Sequence, residues 1–243
     1  MKVEMTWRVE GGKRLASTVW RAGDGHRMIS SAMLGGGIGP ARWVLNAQVP
    51  GAYSRMDPVV HLEELAGSHG LDGPGVGMLT AASVSRTKRA DDEGVSVSAT
   101  VGLRVPTWAA APAGTVDPEL APMLLDGATP PRPPLRASGE SPSPWTPGTV
   151  NIVVAVPVPL NDGALVNAVV TATEAKTQAL LEAGYPCTGT ASDVICVAAT
   201  TGGGAEEPFA GPRSTWGARI ARAVHAAVHA GALDYAAFLE ARR

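Results

Sequence analysis

The chain begins with strict alternation between apolar and polar side chains. The apolar positions of this first stretch are Val3, Met5, Trp7 and Val9. A period of two predicts a half-buried strand. Gly11-Gly12 follows as a two-residue turn, and residues 13–21 return as the second strand. The sequence therefore predicts an N-terminal β-hairpin.

Short apolar runs rich in β-branched residues predict further strands. They lie at 27–34, 42–49, 76–84, 95–101, 150–156 and 194–199. The charged stretch 86–94 is interpreted as a hairpin loop. If the strands at 150–156 and 194–199 pair directly, a right-handed crossover through the segment between them makes them parallel.

Helical periodicity is clearest between these two strands. It predicts a helix from about Asp162 to Ala183, with Asn161 or Asp162 as N-cap and Gly184 just past its end. A short helix is expected at 57–66, and a second long helix at 213–231 with Ser214 as N-cap. A separate short helix at 235–242 is expected to close the chain.

Residues 111–148 differ in character from the rest of the chain, because the Pro-Pro-Arg-Pro-Pro and Ser-Pro-Ser-Pro runs cannot hold regular structure. We interpret this segment as a flexible Pro-rich surface insertion. The remaining elements predict an α+β fold in a single domain, residues 1–243. Its mixed sheet carries two long helices packed on it.

One residue breaks the amphipathic pattern of the central helix. At about 100° per residue, Lys176 falls in the middle of the apolar face, whereas Glu174 falls on the polar face. Two interpretations of Lys176 remain open. Its stem can pack while the ammonium group reaches water, or the amine is held in a cleft, paired with a carboxylate, and contacts substrate.

Polar side chains recur within this otherwise apolar strand–helix–strand unit. They are Asn151, Asn167, Glu174, Lys176, Thr190, Ser192 and Asp193. Amide hydrolysis needs a nucleophile, stabilisation of the oxyanion and an acid for the leaving amine. We therefore hypothesise that Glu174 or Asp193 is the general base, acting on a water or on Thr190. Lys176 would orient the carboxylate or assist the leaving group. We expect Lys176 and its polar neighbours to be gathered at one pocket.

Within this unit, the candidates for substrate contact are Asn151, Asn167 and Ser192. Three further positions are candidates for the same role. Asn46 interrupts an apolar strand and must be hydrogen-bonded, either to structure or to a ligand. Gly36 lies in a triple glycine, which is either a sharp turn or a backbone that approaches an oxyanion. Arg213 at a helix start can meet a phosphate or carboxylate, or cap a loop.

Composition narrows the classes of protein. The 243 residues are 45% hydrophobic with a formal net charge of −2, which argues against nucleic acid or an anionic membrane as main partner. No apolar run approaches the ~20 residues that span a bilayer. Without a recognisable signal sequence, we expect a cytoplasmic protein. The two cysteines suggest reduced thiols, and no zinc-ligand spacing is present.

Several motifs in order resemble one family. They are Thr-Glu-Ala-Lys at 173–176, Gly-Thr-Ala-Ser-Asp at 189–193 and Gly-Pro-Arg-Ser-Thr-Trp-Gly at 211–217. Earlier segments are similar too, including Ser-Ala-Met-Leu-Gly-Gly-Gly at 31–37 and Trp-Val-Leu-Asn at 43–46. From about residue 30 to 231 the chain resembles the adenosylcobinamide amidohydrolase (CbiZ) family of corrinoid-salvage enzymes.

The resemblance implies hydrolysis of the amide that joins aminopropanol, or its phosphate, to the corrin propionate arm, giving adenosylcobyric acid. It implies a small-molecule corrinoid substrate and no cofactor or metal of the protein's own, because the cobalt belongs to the substrate. Trp43, Trp108 and Trp216 either line the cleft for the ring or are core residues without such a role. A homo-oligomer is compatible with the sequence. The alternatives are a corrinoid-binding accessory protein without turnover and an acyltransferase-like enzyme using a threonine or serine.

Overall fold

The fold is that of a computed structural model, which describes residues 1–51, 53–117, 119 and 148–241. Most of the predicted Pro-rich insertion therefore lies outside the described residues. The α+β class is confirmed. The strands are β1 Val3–Glu10, β2 Lys13–Arg21, β3 His26–Ser30, β4 Gly37–Pro40, β5 Trp43–Gln48, β6 Gly75–Thr80, β7 Lys88–Asp92, β8 Val95–Gly102, β9 Pro106–Thr107, β10 Thr149–Val156, β11 Gly189–Thr190 and β12 Val194–Thr200. The helices are α1 Pro58–Ser68, α2 Asp162–Glu182 and α3 Thr215–Glu240, with a 3₁₀ turn at Val84–Arg86.

The strands are divided between two mixed sheets, a division that the sequence did not predict. The first sheet has the order β1-β2-β5-β6, and the second has the order β4-β3-β12-β10-β8-β7. The short strands β9 and β11 pair separately. Strands β10 and β12 are parallel neighbours joined through α2, as the sequence predicted, with Asn151 opposite Val194.

Three apolar cores hold these layers together. Helices α2 and α3 cover one face of the second sheet, where Ile152, Leu165 and Ile220 are fully buried. The opposite face of that sheet packs on the first sheet through residues such as Val153 and Trp20. Helix α1 covers the outer face of the first sheet. The order of layers is therefore α1, first sheet, second sheet, then α2 and α3.

The C-terminal helix differs from the prediction. We expected one helix at 213–231 and another at 235–242, but α3 continues without interruption to Glu240. Gly231 lies inside the helix, where it allows α3 to pack closely on β8. A Cβ at this position would lie 2.5 Å from Cγ2 of Val101. A helix terminator and a helix-packing glycine look alike in sequence.

Two other elements also differ from the prediction. The charged segment 86–94, expected to be a loop, contains the edge strand β7. Charged side chains are common on exposed edge strands, because they prevent pairing with other chains. The strand expected at 27–34 ends at Ser30, and the chain then turns through Gly35, whose φ is +71°.

Candidate active site

Helix α2 carries Lys176 into the interior. The helix begins at Asn161, whose side chain accepts a hydrogen bond from the backbone N–H of Ala164 at 2.8 Å. The residue Lys176 is only 6% exposed, and its Nζ lies 2.5 Å from Oδ2 of Asp193. A buried lysine needs such a partner, since an unpaired charge in the interior is costly. Of the two interpretations of Lys176, the structure favours the paired amine.

Asp193 is the centre of the arrangement. Its Oδ1 accepts hydrogen bonds from the hydroxyl of Thr190 at 2.5 Å and from the backbone N–H of Val150 at 2.8 Å. Its Oδ2 accepts from Lys176 and, at 3.1 Å, from the backbone N–H of Thr190. Four donors occupy the acceptor positions of the carboxylate. The carboxylate is therefore held in one orientation, with Oδ1 directed at the threonine hydroxyl.

The turn before β12 is shaped to admit this ion pair. Gly189 has a φ of +155°, and a Cβ there would lie 2.1 Å from Oδ2 of Asp193 and 2.5 Å from Nζ of Lys176. Only glycine leaves the space that the two charged groups occupy. We call Lys176, Thr190 and Asp193 the carboxylate cluster.

A pair of hydroxyl groups lies beside the carboxylate cluster. Oγ1 of Thr149 and Oγ of Ser192 are 3.0 Å apart, and Ser192 also donates to the carbonyl oxygen of Gly148 at 3.2 Å. Both residues line a cavity of about 250 Å³. Its other walls come from the ends of β5 and β6, with Val49 and Thr80, from the segment between β3 and β4, with Met33, and from the residues that precede and begin α1. We call this the hydroxyl cavity.

The two asparagines predicted for substrate contact meet between the sheets. Nδ2 of Asn151 donates to Oδ1 of Asn46 at 2.8 Å, and Nδ2 of Asn46 donates to the hydroxyl of Thr100 at 2.9 Å. Nδ2 of Asn151 also lies 3.3 Å from the carbonyl oxygen of Leu79, which lines the hydroxyl cavity. Within the described part of the chain, Oδ1 of Asn151 is buried and has no hydrogen-bond partner. The pair thus joins the two sheets behind the cavity and leaves one acceptor open.

Other predicted site residues lie elsewhere, so the expectation that the polar residues of the unit share one pocket is corrected. Glu174 is exposed and lines a groove of about 420 Å³ between α2 and α3, together with Arg213. Two residues along a helix are about 200° apart, which sends Glu174 and Lys176 to opposite faces. Asn167 is half-buried near the start of α2, nine residues and about 13 Å along the axis from Lys176.

The tryptophans and the triple glycine are also dispersed. Gly36 and Trp43 line a third cavity, of about 500 Å³, beside α1. A Cβ at Gly36 would lie 2.4 Å from the carbonyl oxygen of Ala32, which favours the sharp-turn interpretation. Trp216 packs under Arg219 on α3, and Trp108 is 48% exposed. The three tryptophans do not line one cleft.

The comparisons with known proteins agree with the sequence motifs. The family model described as adenosylcobinamide amidohydrolase matches residues 2–239. The chain belongs to this family. A relative from Methanosarcina mazei named adenosylcobinamide amidohydrolase is 27% identical over 209 residues, which are 83% of this chain and 88% of the relative. One of the same name from Halobacterium salinarum is 40% identical over 126 residues, 51% of this chain and 49% of that relative.

The family assignment confirms the resemblance found in the sequence, and with it the hydrolase class. A solved structure from Pyrococcus horikoshii OT3 covers 96% of this chain with a TM-score of 0.44 and 13% identity, and 83% of that chain is matched. A TM-score below 0.5 does not establish a shared fold. Within the described ranges of this family member, no helix is long and apolar enough to cross a membrane.

Sequence reasoning missed several groups of the site in this amidohydrolase-family chain. Thr149 and the N–H of Val150 come from the first residues of β10, and Gly189 makes room for the ion pair. A threonine at the polar start of a buried strand is a weak signal. Gly189 directly precedes the polar residues of its motif, and that adjacency was the one available clue.

The histidines and acids give this family member no metal site among the residues described. The described residues contain no group of three or more His, Cys, Asp or Glu side chains that could hold a metal ion. His225 instead contacts Glu182 at 2.7 Å and stacks on His229. The expectation that the protein has no cofactor of its own stays a prediction.

The two thiols are expected to be unreactive in the folded protein. Burial raises the pKa of Cys187 to about 11 and that of Cys196 to about 12. Because the thiolate is the reactive form, a thiol reagent at pH 8 should modify neither cysteine in native protein and both after denaturation. Rapid modification of native protein would contradict this result and would make a cysteine a candidate nucleophile.

Proposed function

We propose that this protein hydrolyses the amide joining aminopropanol, or its phosphate, to the propionate arm of adenosylcobinamide, and releases adenosylcobyric acid. Membership of the family supports the reaction. The observation that carries the mechanism is the position of Asp193, between the hydroxyl of Thr190 and the ammonium of Lys176. A nucleophile bonded to a base, which is itself held by a third group, is the arrangement that covalent catalysis uses.

In the proposed reaction Asp193 takes the hydroxyl proton as Oγ1 of Thr190 attacks the amide carbonyl carbon. The new C–O bond forms a tetrahedral intermediate, whose C–N bond breaks as Asp193 returns the proton to the leaving amine. Water then attacks the resulting ester, with Asp193 again taking a proton, and the acid and free Thr190 are regenerated. Lys176 keeps the carboxylate oriented throughout and offsets its charge.

The size of the hydroxyl cavity suggests that only the amide arm of the substrate binds inside the protein. Its volume of about 250 Å³ suits an amide arm with a three-carbon amino alcohol. Thr190 is not among the described residues that line the cavity, but Ser192, two residues further along the chain, is. We propose that the arm enters the cavity beside Ser192, with its amide extending to Thr190, while the corrin ring stays outside. The hydroxyls of Thr149 and Ser192 would bind the amide.

The proposal also covers the metal, the range of substrates and the location of the protein. The cobalt would belong to the substrate, and the protein would supply no metal. Action on phosphorylated as well as free aminopropanol substrates is part of the proposal, and so is a cytoplasmic location.

The first test concerns the hydroxyl of Thr190. We expect Thr190→Ala to lower the rate of adenosylcobyric acid formation by about 10²-fold or more, because the nucleophile is lost. Thr190→Ser keeps a hydroxyl and should retain most of the rate. The measurement is chromatographic detection of product from adenosylcobinamide. Thr173→Ala is the matched control, since Thr173 is exposed on α2 and its hydroxyl donates to the carbonyl oxygen of Val169 in its own helix.

Three outcomes would overturn parts of the proposal. A folded Thr190→Ala variant with the parent rate would remove Thr190 as nucleophile and leave a water activated by Asp193. Binding of adenosylcobinamide without any product from the parent protein would exclude the hydrolase and favour a binding protein. Loss of turnover in Glu174→Gln, with Asp193→Asn unaffected, would move the site to the groove between α2 and α3.

A further inference from the structure

Strand β1 is an edge of the first sheet and carries an exposed apolar row. It pairs with β2 on one side, and no described strand pairs with its other side. Met5, Trp7 and Val9 share one face of the strand and are 42%, 46% and 75% exposed. A long edge strand with such a face is a template for pairing with another chain, and proteins usually protect it with charges, prolines or bulges.

The hydrogen-bonding groups that β1 presents outward follow from the hairpin turn. Gly11 and Gly12 both have positive φ, as a two-residue hairpin turn requires, so Glu10 and Lys13 flank the turn as a bonded pair. Bonded and non-bonded pairs alternate along an antiparallel ladder. The even-numbered residues of β1 therefore bond β2, and the odd-numbered residues direct their N–H and C=O groups to the open edge.

An independent contact agrees with this assignment. The carbonyl oxygen of Val3 accepts a hydrogen bond at 2.5 Å from Arg89, which belongs to β7 in the other sheet. That carbonyl therefore points away from β2. From Met5 to Val9 the edge is open, whereas at Val3 an incoming strand must displace the exposed side chain of Arg89.

Beyond the proposed function, we propose that β1 pairs with β1 of a second copy of this chain, antiparallel and centred on Thr6, so that two first sheets join into one eight-stranded sheet. The argument for a second copy is charge complementarity of the strand with itself. In this register Lys2 faces Glu10 of the second copy, Glu4 faces Arg8, and Thr6 faces Thr6. Opposite charges directly across a ladder stabilise the pairing.

Neighbouring registers lack this complementarity. Because outward groups come from odd-numbered residues, the register can shift only in steps that keep odd residues opposite odd ones. A shift in one direction places Lys2 opposite Arg8, and a shift in the other places Glu4 opposite Glu10. Like charges directly across are destabilising. Pairing centred on Thr6 is therefore the favoured arrangement, and it is symmetric, as a two-fold dimer requires.

The apolar row gains cover in the same arrangement. Met5 comes opposite Trp7 of the second copy, and Val9 comes opposite Val3. Aromatic and aliphatic pairs across a ladder are among the stabilising combinations. Arg8 retains donor capacity for the incoming Glu4, because its five N–H groups make four hydrogen bonds within the chain, to Glu10, Ser17 and Gln48.

The test is disulfide trapping at a position that meets itself only in this register. Thr6→Cys should form a disulfide-linked dimer on mild oxidation, since the facing Cα atoms of a non-bonded pair are about 4.5 Å apart. Lys2→Cys is the matched control on the same face. In the proposed register the two copies of position 2 are eight residues apart along the strand, about 27 Å, so this variant should not crosslink. Cys187 and Cys196 are buried and should not interfere.

Light scattering on the parent protein gives the second measurement. We expect a mass of twice one chain. The variant Met5→Lys/Trp7→Lys should have the mass of one chain and keep the parent rate per chain, with a lower melting temperature that does not depend on protein concentration, because association no longer stabilises the folded chain. A monomeric parent at micromolar concentration would overturn the proposal. So would crosslinking of Lys2→Cys with none of Thr6→Cys, or a dimer that the double lysine variant leaves intact.

Discussion

Asparagine in place of Asp193 is expected to reduce turnover of adenosylcobinamide by about 10²- to 10³-fold. The amide has nearly the same size as the carboxylate, but it cannot take the hydroxyl proton of Thr190. In the parent protein, Oγ1 of Thr190 lies 2.5 Å from Oδ1 of Asp193. The substitution also leaves Lys176 buried without its counter-charge. Breaking a buried pair in this way costs about 3–5 kcal/mol of folding stability. Initial rates per folded molecule and a urea unfolding curve measure the two effects separately.

Asp234→Asn is the matched control for this substitution. Asp234 also pairs with two cations, Arg86 and Lys88, and lies far along the chain from the carboxylate cluster. We expect it to keep the parent rate. A folded Asp193→Asn variant with a rate within a few fold of the parent would show that the carboxylate only holds the fold together.

Removal of both charges separates stability from chemistry. Lys176→Met with Asp193→Asn leaves no unpaired charge in the interior and keeps an acceptor for the N–H of Val150, so its stability should exceed that of Asp193→Asn alone. Its turnover should remain as low, because the base is absent. Recovery of turnover together with stability would assign the ion pair a structural role alone.

Alanine in place of Gly189 is expected to be the second most damaging single change. Its Cβ would lie 2.1 Å from Oδ2 of Asp193, so the carboxylate and the ammonium of Lys176 must move apart. We expect a loss of about 3 kcal/mol in the free energy of unfolding, from overpacking and a strained backbone. Turnover should fall as well, because Asp193 no longer points at Thr190.

Gly184→Ala controls for backbone strain. Gly184 also has a positive φ, +86°, in the connection after α2, but a Cβ there would meet no atom within 4 Å. Strain alone should cost about 1–2 kcal/mol and leave the rate unchanged. Equal effects of the two substitutions on rate and stability would mean that the space beside the ion pair is unimportant.

The local elements of this protein were predictable because they depend on neighbours in sequence. Alternation fixed the first hairpin, and Asn161 and Gly184 marked the ends of α2. The helical repeat alone placed Lys176 on the buried face and Glu174 on the other. That repeat was sufficient to doubt a shared pocket, since residues two apart on a helix diverge by about 200°. The hypothesis grouped them only because polar residues recur in the same strand–helix–strand unit.

The partners of those residues were decided by pairing between distant segments. The sequence placed Lys176 on the apolar face of α2 and left open whether its amine is buried. The parallel pairing of β10 with β12 decided that Asp193 meets it and that Val150 donates to the same carboxylate. Packing of one sheet on the other brought Asn46 to Asn151, 105 residues apart. Periodicity reports which way a side chain points from its own element. Only the tertiary structure determines what stands opposite, because that depends on the register and order of strands distant in sequence.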